Sequence, residues 1–291
     1  MSEEVIQYWE ENAGRYREQA YKYQFGNSRY PFYETRLALI DDMTKSLPAG
    51  RLLDAGCGGG SVLLHFLAAG WDGHGVDGAQ NMVALARENL AAAGHEAERV
   101  TRSSVTDLSR FPDEHFDLIV SAGVMEYLNP EEEAVAFAEA RRVLKPGGHK
   151  IVENINGLFD VSTFNRFTVT FFAEQVLPLF FDETGQRAAL SERIADLMTN
   201  PEKPDRSGTF STTRDQVFTK SEIPLAYGDK VAGYGFRQLE QGFYRYHAVP
   251  PLLFEQEPAL EQVPIDKELA LSRHWIGTFM ASGFISLLTR D

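Results

Sequence analysis
The chain has one cysteine, Cys57, so it can form no internal disulfide and offers no thiolate set for zinc. Lying in a glycine-dense turn, Cys57 reads as a small packing residue rather than a nucleophile. No apolar run reaches the roughly 18–20 residues that span a bilayer, which predicts no integral membrane segment. The opening MSEEVIQYWEE is acidic and amphipathic, so neither a secretory signal nor a transit peptide is expected, and a cytoplasmic location is the default. Basic residues are scarce: 28 Lys and Arg stand against 42 Asp and Glu, a formal net charge of −14. No Lys/Arg-rich run stands out, and nucleic acid is excluded as an expected partner because binding it requires a basic face that displaces counterions. No repeat, no low-complexity tract and no paired His/Asp spacing suggestive of a metal is present. With 291 residues, 43% of them hydrophobic, the chain can bury one large core or a core with a cap.

The most informative stretch is RLLDAGCGGGSVLLHFLAAG, from Arg51 to Gly70. It predicts a short buried strand (Leu52, Leu53), an acid at its end (Asp54), a turn with Gly56, Gly58, Gly59 and Gly60, then a helix. Glycine is needed where backbone turns sharply or lies against a ligand, and a strand–glycine turn–helix unit is a nucleotide-binding corner. The spacing Gly56-x-Gly58-x-x-Ser61 narrowly misses the dinucleotide pattern. That pattern places a pyrophosphate at the helix N-terminus, and Asp54 would repel such a phosphate. It suits a ligand carrying positive charge, such as an α-amino group beside a sulfonium. A second strand ends at Asp77, where an acid takes both hydroxyls of a ribose. A nucleoside with a cationic tail is S-adenosylmethionine.

These residues resemble the class I S-adenosylmethionine-dependent methyltransferases. LLDAGCGGGS is similar to the family's first motif, VDGAQNM to its ribose motif, and LKPGG to the turn before its fifth strand. The resemblance implies a doubly wound Rossmann-like α/β fold with a seven-stranded sheet whose last strand is antiparallel. It also implies S-adenosylmethionine as cofactor, S-adenosylhomocysteine as product, and no metal. The cofactor contacts it implies are Asp54, Gly56 and Gly58 for the amino-acid part, Asp77 and Gly78 at the ribose, Met82 near the adenine, and backbone around Ser121 and Ala122 at the methionyl end. The family's usual acid after strand three falls on Ser104; Asp107, Ser104 itself or backbone near Val105 are the candidates for the adenine contact. Aromatic N-terminal segments fold over the cofactor in related enzymes, which points to Tyr8, Tyr16 and Tyr30 as pocket residues.

Periodicity supplies the remaining elements. Residues 2–25 predict a helix with Ser2 as cap, Glu3 and Glu4 at its positive end, and Val5, Tyr8, Trp9, Ala13 and Tyr16 on one stripe. A second helix runs from about Tyr33 to Lys45. The helix after Asp77 carries Met82, Leu85, Ala86 and Leu90 on one face and stops at Gly94. A third strand covers Arg99 to Thr101. The near-continuous apolar run from Phe116 to Ser121 suits a strand buried on both faces of a parallel sheet. Asn129 and Pro130 start a helix with Glu131–Glu133 in its first turn, running to about Leu144, and HKIVENIN is the fifth strand. Alternation of five strands with helices specifies a doubly wound sheet. Ser221 caps the helix before a sixth strand that begins after Gly235. PIDKELALSRHWIGTFM predicts a last helix with Leu271, Trp275 and Phe279 on one face, and GFISLLTR closes the chain as a strand. The expected organisation is an N-terminal helical cap (1–50), a cofactor-binding core (51–156), an aromatic-rich cap insertion after strand five (157–220), and a C-terminal part of the sheet (221–291).

Methyl transfer from a sulfonium is an in-line displacement with an excellent leaving group, so approach geometry and water exclusion dominate. A phenol or amine acceptor also needs its proton removed. Candidates are His247 after the sixth strand, and Glu126 and Tyr127 after the fourth. Relatives often carry a histidine in that loop and this chain has none. His274, beside Trp275, reads as structural. The expected function is transfer of a methyl group to an O or N atom of a small-molecule acceptor. The alternatives are a lipid- or quinone-like acceptor, suggested by the Phe-rich insertion, and a non-catalytic S-adenosylmethionine-binding scaffold.

Overall fold
The computed structural model describes residues 3–24, 32–164, 166–196, 218–247 and 263–291, the side chains of 15–24, 32 and 162 excepted. The Ser2 cap, the ring of Tyr16, Tyr30 and the stretch 200–215 lie outside the described residues.

Seven strands form one sheet: β1 Arg51–Ala55, β2 Asp72–Asp77, β3 Val100–Arg102, β4 Phe116–Ser121, β5 Leu144–Ile155, β6 Phe236–Tyr246 and β7 Ala281–Arg290, in the order β3-β2-β1-β4-β5-β7-β6. The first five run parallel, and β7 is antiparallel to both β5 and β6. Strand order reverses between β1 and β4, which opens a crevice at their carboxyl ends where ligands bind in such sheets.

Pleating sends successive residues to opposite faces. Leu52, Leu118, Ile151 and Ile285 point to one core, with Leu39 and Ile40 of α2 (Phe32–Thr44) and Phe66 of α3 (Ser61–Ala68). Leu53, Ile119, Val152 and Phe284 point to the other, with Phe137 of α5 (Pro130–Val143). Burial on both faces is why these strands read as unbroken apolar runs. The start of α5 is a capping box: the Asn129 side chain accepts from Glu132 N at 2.9 Å, and Glu132 reaches back to Asn129 N.

After β5 the insertion runs through a 3-10 turn, Gly157–Ser162, then α6 (Arg166–Phe171), a π-turn (Phe172–Val176), α7 (Leu177–Phe180) and α8 (Thr184–Asp196). Its return is clamped at the foot of α5: Lys220 and Lys230 each pair with both Glu133 and Glu222, at 2.5 to 3.2 Å. Ser221 does not cap a helix; Glu222 bridges to Asn156, and the helix α9 begins later, at Tyr227–Ala232.

The last expected helix is broken. It forms Ile265–Leu271, turns, and resumes as Gly277–Met280. The backbone at Gly277 lies against Phe243, where a Cβ would stand 2.5 Å from the Phe243 side chain. Leu271 packs on the core as expected, whereas Trp275 is 68% exposed. The helix before the third strand, α4 (Gln80–Ala92), gives way to Gly94 at a φ of +82°, as the glycine there predicts.

Candidate functional site
The corner between β1 and α3 is tied to the end of β2. Gly56 N and Cys57 N donate to Val76 O at 2.8 and 2.9 Å. Gly56 has a φ of +87°, and a Cβ there would lie 2.7 Å from Val124 Cβ, so only glycine fits. Gly58 N donates to Asp77 Oδ2 and Ala79 N to Asp77 Oδ1, both at 2.9 Å. Each carboxylate oxygen keeps a second lone-pair site, so two neighbouring hydroxyls have a pre-oriented acceptor. Burial raises the Asp77 carboxyl above its ordinary range against those two amides, and the Glu10 charge raises it further.

Asp54 is 1% exposed, and its Oδ2 accepts from Leu63 N, in the first turn of α3, at 3.1 Å. One of its oxygens therefore caps a helix beneath the turn. Burial pushes its carboxyl up to about 7, with Arg36 opposing and Asp77 adding to the rise.

The other expected cofactor residues divide. Gly78 lies at the mouth of the corner, 3.7 Å separating its Cβ position from Ile6. Met82 packs with Ala13, Ala79 and Leu85 under Trp9, and Val105 is buried in the core, so a contact from Val105 comes from its backbone. Ser104 bonds to the Thr106 hydroxyl at 2.7 Å. Asp107 is exposed, and its Oδ1 accepts from Ser109 N at 3.2 Å within the local turn. The Ser121 hydroxyl accepts from buried Lys150 at 2.6 Å, so Ser121 too offers backbone.

The N-terminal helix lies over the corner, held by an acid that sequence reasoning did not single out. On α1 (Glu3–Gln24), Glu10 accepts from Gln80 N at 2.6 Å and Asn81 N at 2.8 Å, and Asn81 Nδ2 returns a bond to Glu10 O at 3.0 Å. The N-cap of α4, Ala79, has no side-chain cap of its own. An acid from another helix thus satisfies the amides that an Asp or Ser would ordinarily take. Trp9 meets Tyr127 edge to face at 5.9 Å and Tyr8 at 5.2 Å. Tyr127 is buried with Val5, so it and Tyr8 fasten the roof. Glu10→Ala is expected to cost about 1 kcal/mol and to speed cleavage of α1 in limited proteolysis several-fold; unchanged cleavage would contradict the clasp.

Sequence reasoning also missed Arg36. This α2 residue is 6% exposed, pairs with Glu153 of β5 at 3.1 Å, and lies under Tyr33 with 4.9 Å to the ring centroid. Its Nη1 stands 3.7 Å from where a Gly123 Cβ would be, just past the end of β4. The available signal was the acid inside the apolar strand sequence IVENI, which demands a buried partner.

Of the proton acceptors, His247 is held neutral: burial, with Arg245 adding, lowers it to about 3. Its ring lies 4.5 Å from Phe159 and its Nε2 is 3.3 Å from Ser282 Oγ. Such an imidazole is a weak base at neutral pH. Glu126 is 9% exposed in the turn Met125–Tyr127, with its carbonyl accepting from Lys220 N. Asp160, in the turn after β5, is pushed up to about 7 by burial and by Glu174. Among the described residues no three His, Cys, Asp or Glu side chains are arranged to hold a metal.

Comparison with known proteins agrees with this geometry. Residues 52–148 match a family model described as a methyltransferase domain. They form a class I methyltransferase domain. Among curated proteins, the domain is similar to a ubiquinone biosynthesis O-methyltransferase of Dechloromonas aromatica, 27% identical over 49% of this chain and 61% of that protein. It is also similar to a cyclopropane-fatty-acyl-phospholipid synthase of Escherichia coli, 30% identical over 42% of this chain and 30% of that protein. The match thus spans less than two thirds of each relative. Two solved structures share the fold across 97% of this chain. One is from a complex of the Haloferax volcanii Trm112 methyltransferase activator and a putative methyltransferase, with a TM-score of 0.54, 13% identity and 97% of that chain covered. The other is a possible histamine N-methyltransferase of Thermotoga maritima, with a TM-score of 0.53, 16% identity and 98% covered. The methyltransferase domain therefore sits in a sheet of the class I Rossmann-like order, β7 antiparallel included.

Proposed function
We propose that the chain binds S-adenosylmethionine at the Gly56–Asp77 corner and transfers its methyl group to an O or N atom of a small-molecule acceptor. The observation that carries this reading is Asp77, pinned by two backbone amides with lone pairs left for two ribose hydroxyls. Bound there, the cofactor would supply an electrophilic methyl on a sulfonium. The chain's own residues orient, seal and balance charge. Gly56 and Gly58 let the backbone approach, α1 excludes water over the nucleoside, and Asp54 and Glu153 set negative charge beneath the cationic tail. Arg36 would be the counterpart for the cofactor's carboxylate: its guanidinium sits beside Gly123, just past the end of β4 and across the glycine turn from Asp77. Arg36→Met should weaken S-adenosylhomocysteine binding about 10- to 100-fold in calorimetry; wild-type affinity would remove Arg36 from the site. The setting we propose is cytoplasmic, where the single thiol of Cys57 stays reduced.

Micromolar binding of S-adenosylhomocysteine, and transfer of labelled methyl from S-adenosylmethionine to a pool of small phenols and amines, test the proposal. Binding without any transfer would favour a cofactor-binding scaffold. A lipid- or quinone-like acceptor is the second reading. It is favoured by Leu179 and Phe180 on the insertion, 77% and 74% exposed, and by the acceptors that the curated relatives' names imply. No described helix is long and apolar enough to cross a membrane, so this reading requires surface association. Liposome flotation decides between them: co-flotation supports the lipid acceptor, and its absence the soluble one.

A further inference from the structure
Behind Arg36 a line of contacts crosses three strands. Arg36 donates to one oxygen of Glu153 on β5, and the other oxygen accepts the hydroxyl of Tyr244 on β6. These strands are not neighbours; β7 runs between them. In register, Tyr244 faces Gly283 of β7, and Glu153 faces Ile285. The tyrosine ring passes over β7 at that glycine: a Cβ on Gly283 would stand 2.6 Å from Tyr244 Cε1. A second glycine seats the helix that carries Arg36. A Cβ on Gly242 of β6 would lie 2.8 Å from Met43 Cε and 2.9 Å from Leu39 Cδ1, so α2 rests directly on the strand backbone.

This arrangement is costly. Arg36, Glu153 and Tyr244 are all at least nine-tenths buried, and a buried ion pair generally contributes less to stability than well-packed apolar residues of the same volume. Two glycines inside strands weaken the sheet further. What the arrangement supplies is orientation: Glu153 holds one edge of a planar guanidinium, and Tyr244 fixes the plane of Glu153. Burial and the Glu153 charge raise the Tyr244 hydroxyl well above its ordinary range, so it remains a donor.

We propose that Tyr244 and Glu153 are positioning residues that aim the Arg36 guanidinium at the carboxylate of the bound cofactor. The proposal rests on the assignment of Arg36 made above. It predicts a loss confined to ligands that carry the amino-acid end. Tyr244→Phe removes one oxygen and leaves the ring in place, so the fold persists, which circular dichroism checks. Glu153→Gln keeps the shape and removes the charge.

The test is calorimetry of both variants, Arg36→Met and the wild type with two probes. S-adenosylhomocysteine carries the carboxylate; 5′-methylthioadenosine keeps the nucleoside and thioether but lacks the amino acid. Tyr244→Phe is expected to bind S-adenosylhomocysteine about tenfold more weakly, the size of one hydrogen bond to a charged group, with 5′-methylthioadenosine unchanged. Glu153→Gln should show the same selectivity. Equal losses for both probes, or no loss for either, would overturn the positioning role. If Arg36→Met discriminates between the probes and Tyr244→Phe does not, the anchor stands and the relay falls. A wild-type chain that binds neither probe removes the cofactor assignment itself.

Discussion
Asp77→Ala is expected to abolish calorimetric binding of S-adenosylhomocysteine, a loss of more than about 100-fold. The expectation follows from two charge-assisted hydrogen bonds to the ribose, each worth about 1.5–3 kcal/mol when made to a charged group. The carboxylate also orders the turn, because Gly58 N and Ala79 N both donate to it. Asp77→Asn separates the two contributions. The amide retains one carbonyl acceptor for the turn but can no longer accept from both hydroxyls through both atoms, so binding falls while thermal stability stays closer to wild type. Wild-type affinity in Asp77→Ala would contradict the ribose role.

The second large effect concerns stability and pH. Lys150 of β5 is 2% exposed; its Nζ donates to Ser121 Oγ and lies 5.8 Å from the centre of the Phe137 ring. Burial lowers its ammonium from 10.5 to about 7. A lysine depressed on folding binds fewer protons in the native than in the unfolded state between those values. Its penalty is therefore full below pH 7 and is relieved as pH rises toward 10.5. Lys150→Met, close in volume, should be more stable than wild type at pH 7 in urea denaturation. The gap should narrow by about 2–3 kcal/mol between pH 7 and pH 9. Comparing the two proteins cancels the opposing titrations of Asp54 and His247, which both variants share. A gap constant with pH would show that Lys150 keeps its ordinary ionisation.

Much of the fold was legible because its signals are local. Strand β4 falls at Phe116–Ser121 as its apolar run predicts, and the Asn129–Pro130 start of α5 is a capping box. The glycine turn and Asp77 were equally readable, since backbone conformation and strand ends are set by neighbouring residues. What escaped was the chemistry made by distant pairs. Glu10 caps α4 from 70 residues away, and Arg36 meets Glu153 across 117; no periodicity encodes either. The bonds that Asp54 accepts from the first turn of α3 and Asp107 from Ser109 N were not legible either, because an acid at a strand end does not announce which backbone amide it meets. The final helix was misjudged because Leu271, Trp275 and Phe279 do keep a helical spacing, while tertiary contact at Gly277 decides where the backbone goes.

The most direct test is a crystal structure with S-adenosylhomocysteine soaked into the protein. The account predicts both ribose hydroxyls within hydrogen-bond distance of the Asp77 oxygens, the nucleoside under α1, and the amino-acid carboxylate on Arg36 beside Gly123. A ligand bound elsewhere, or a ribose turned away from Asp77, would contradict it.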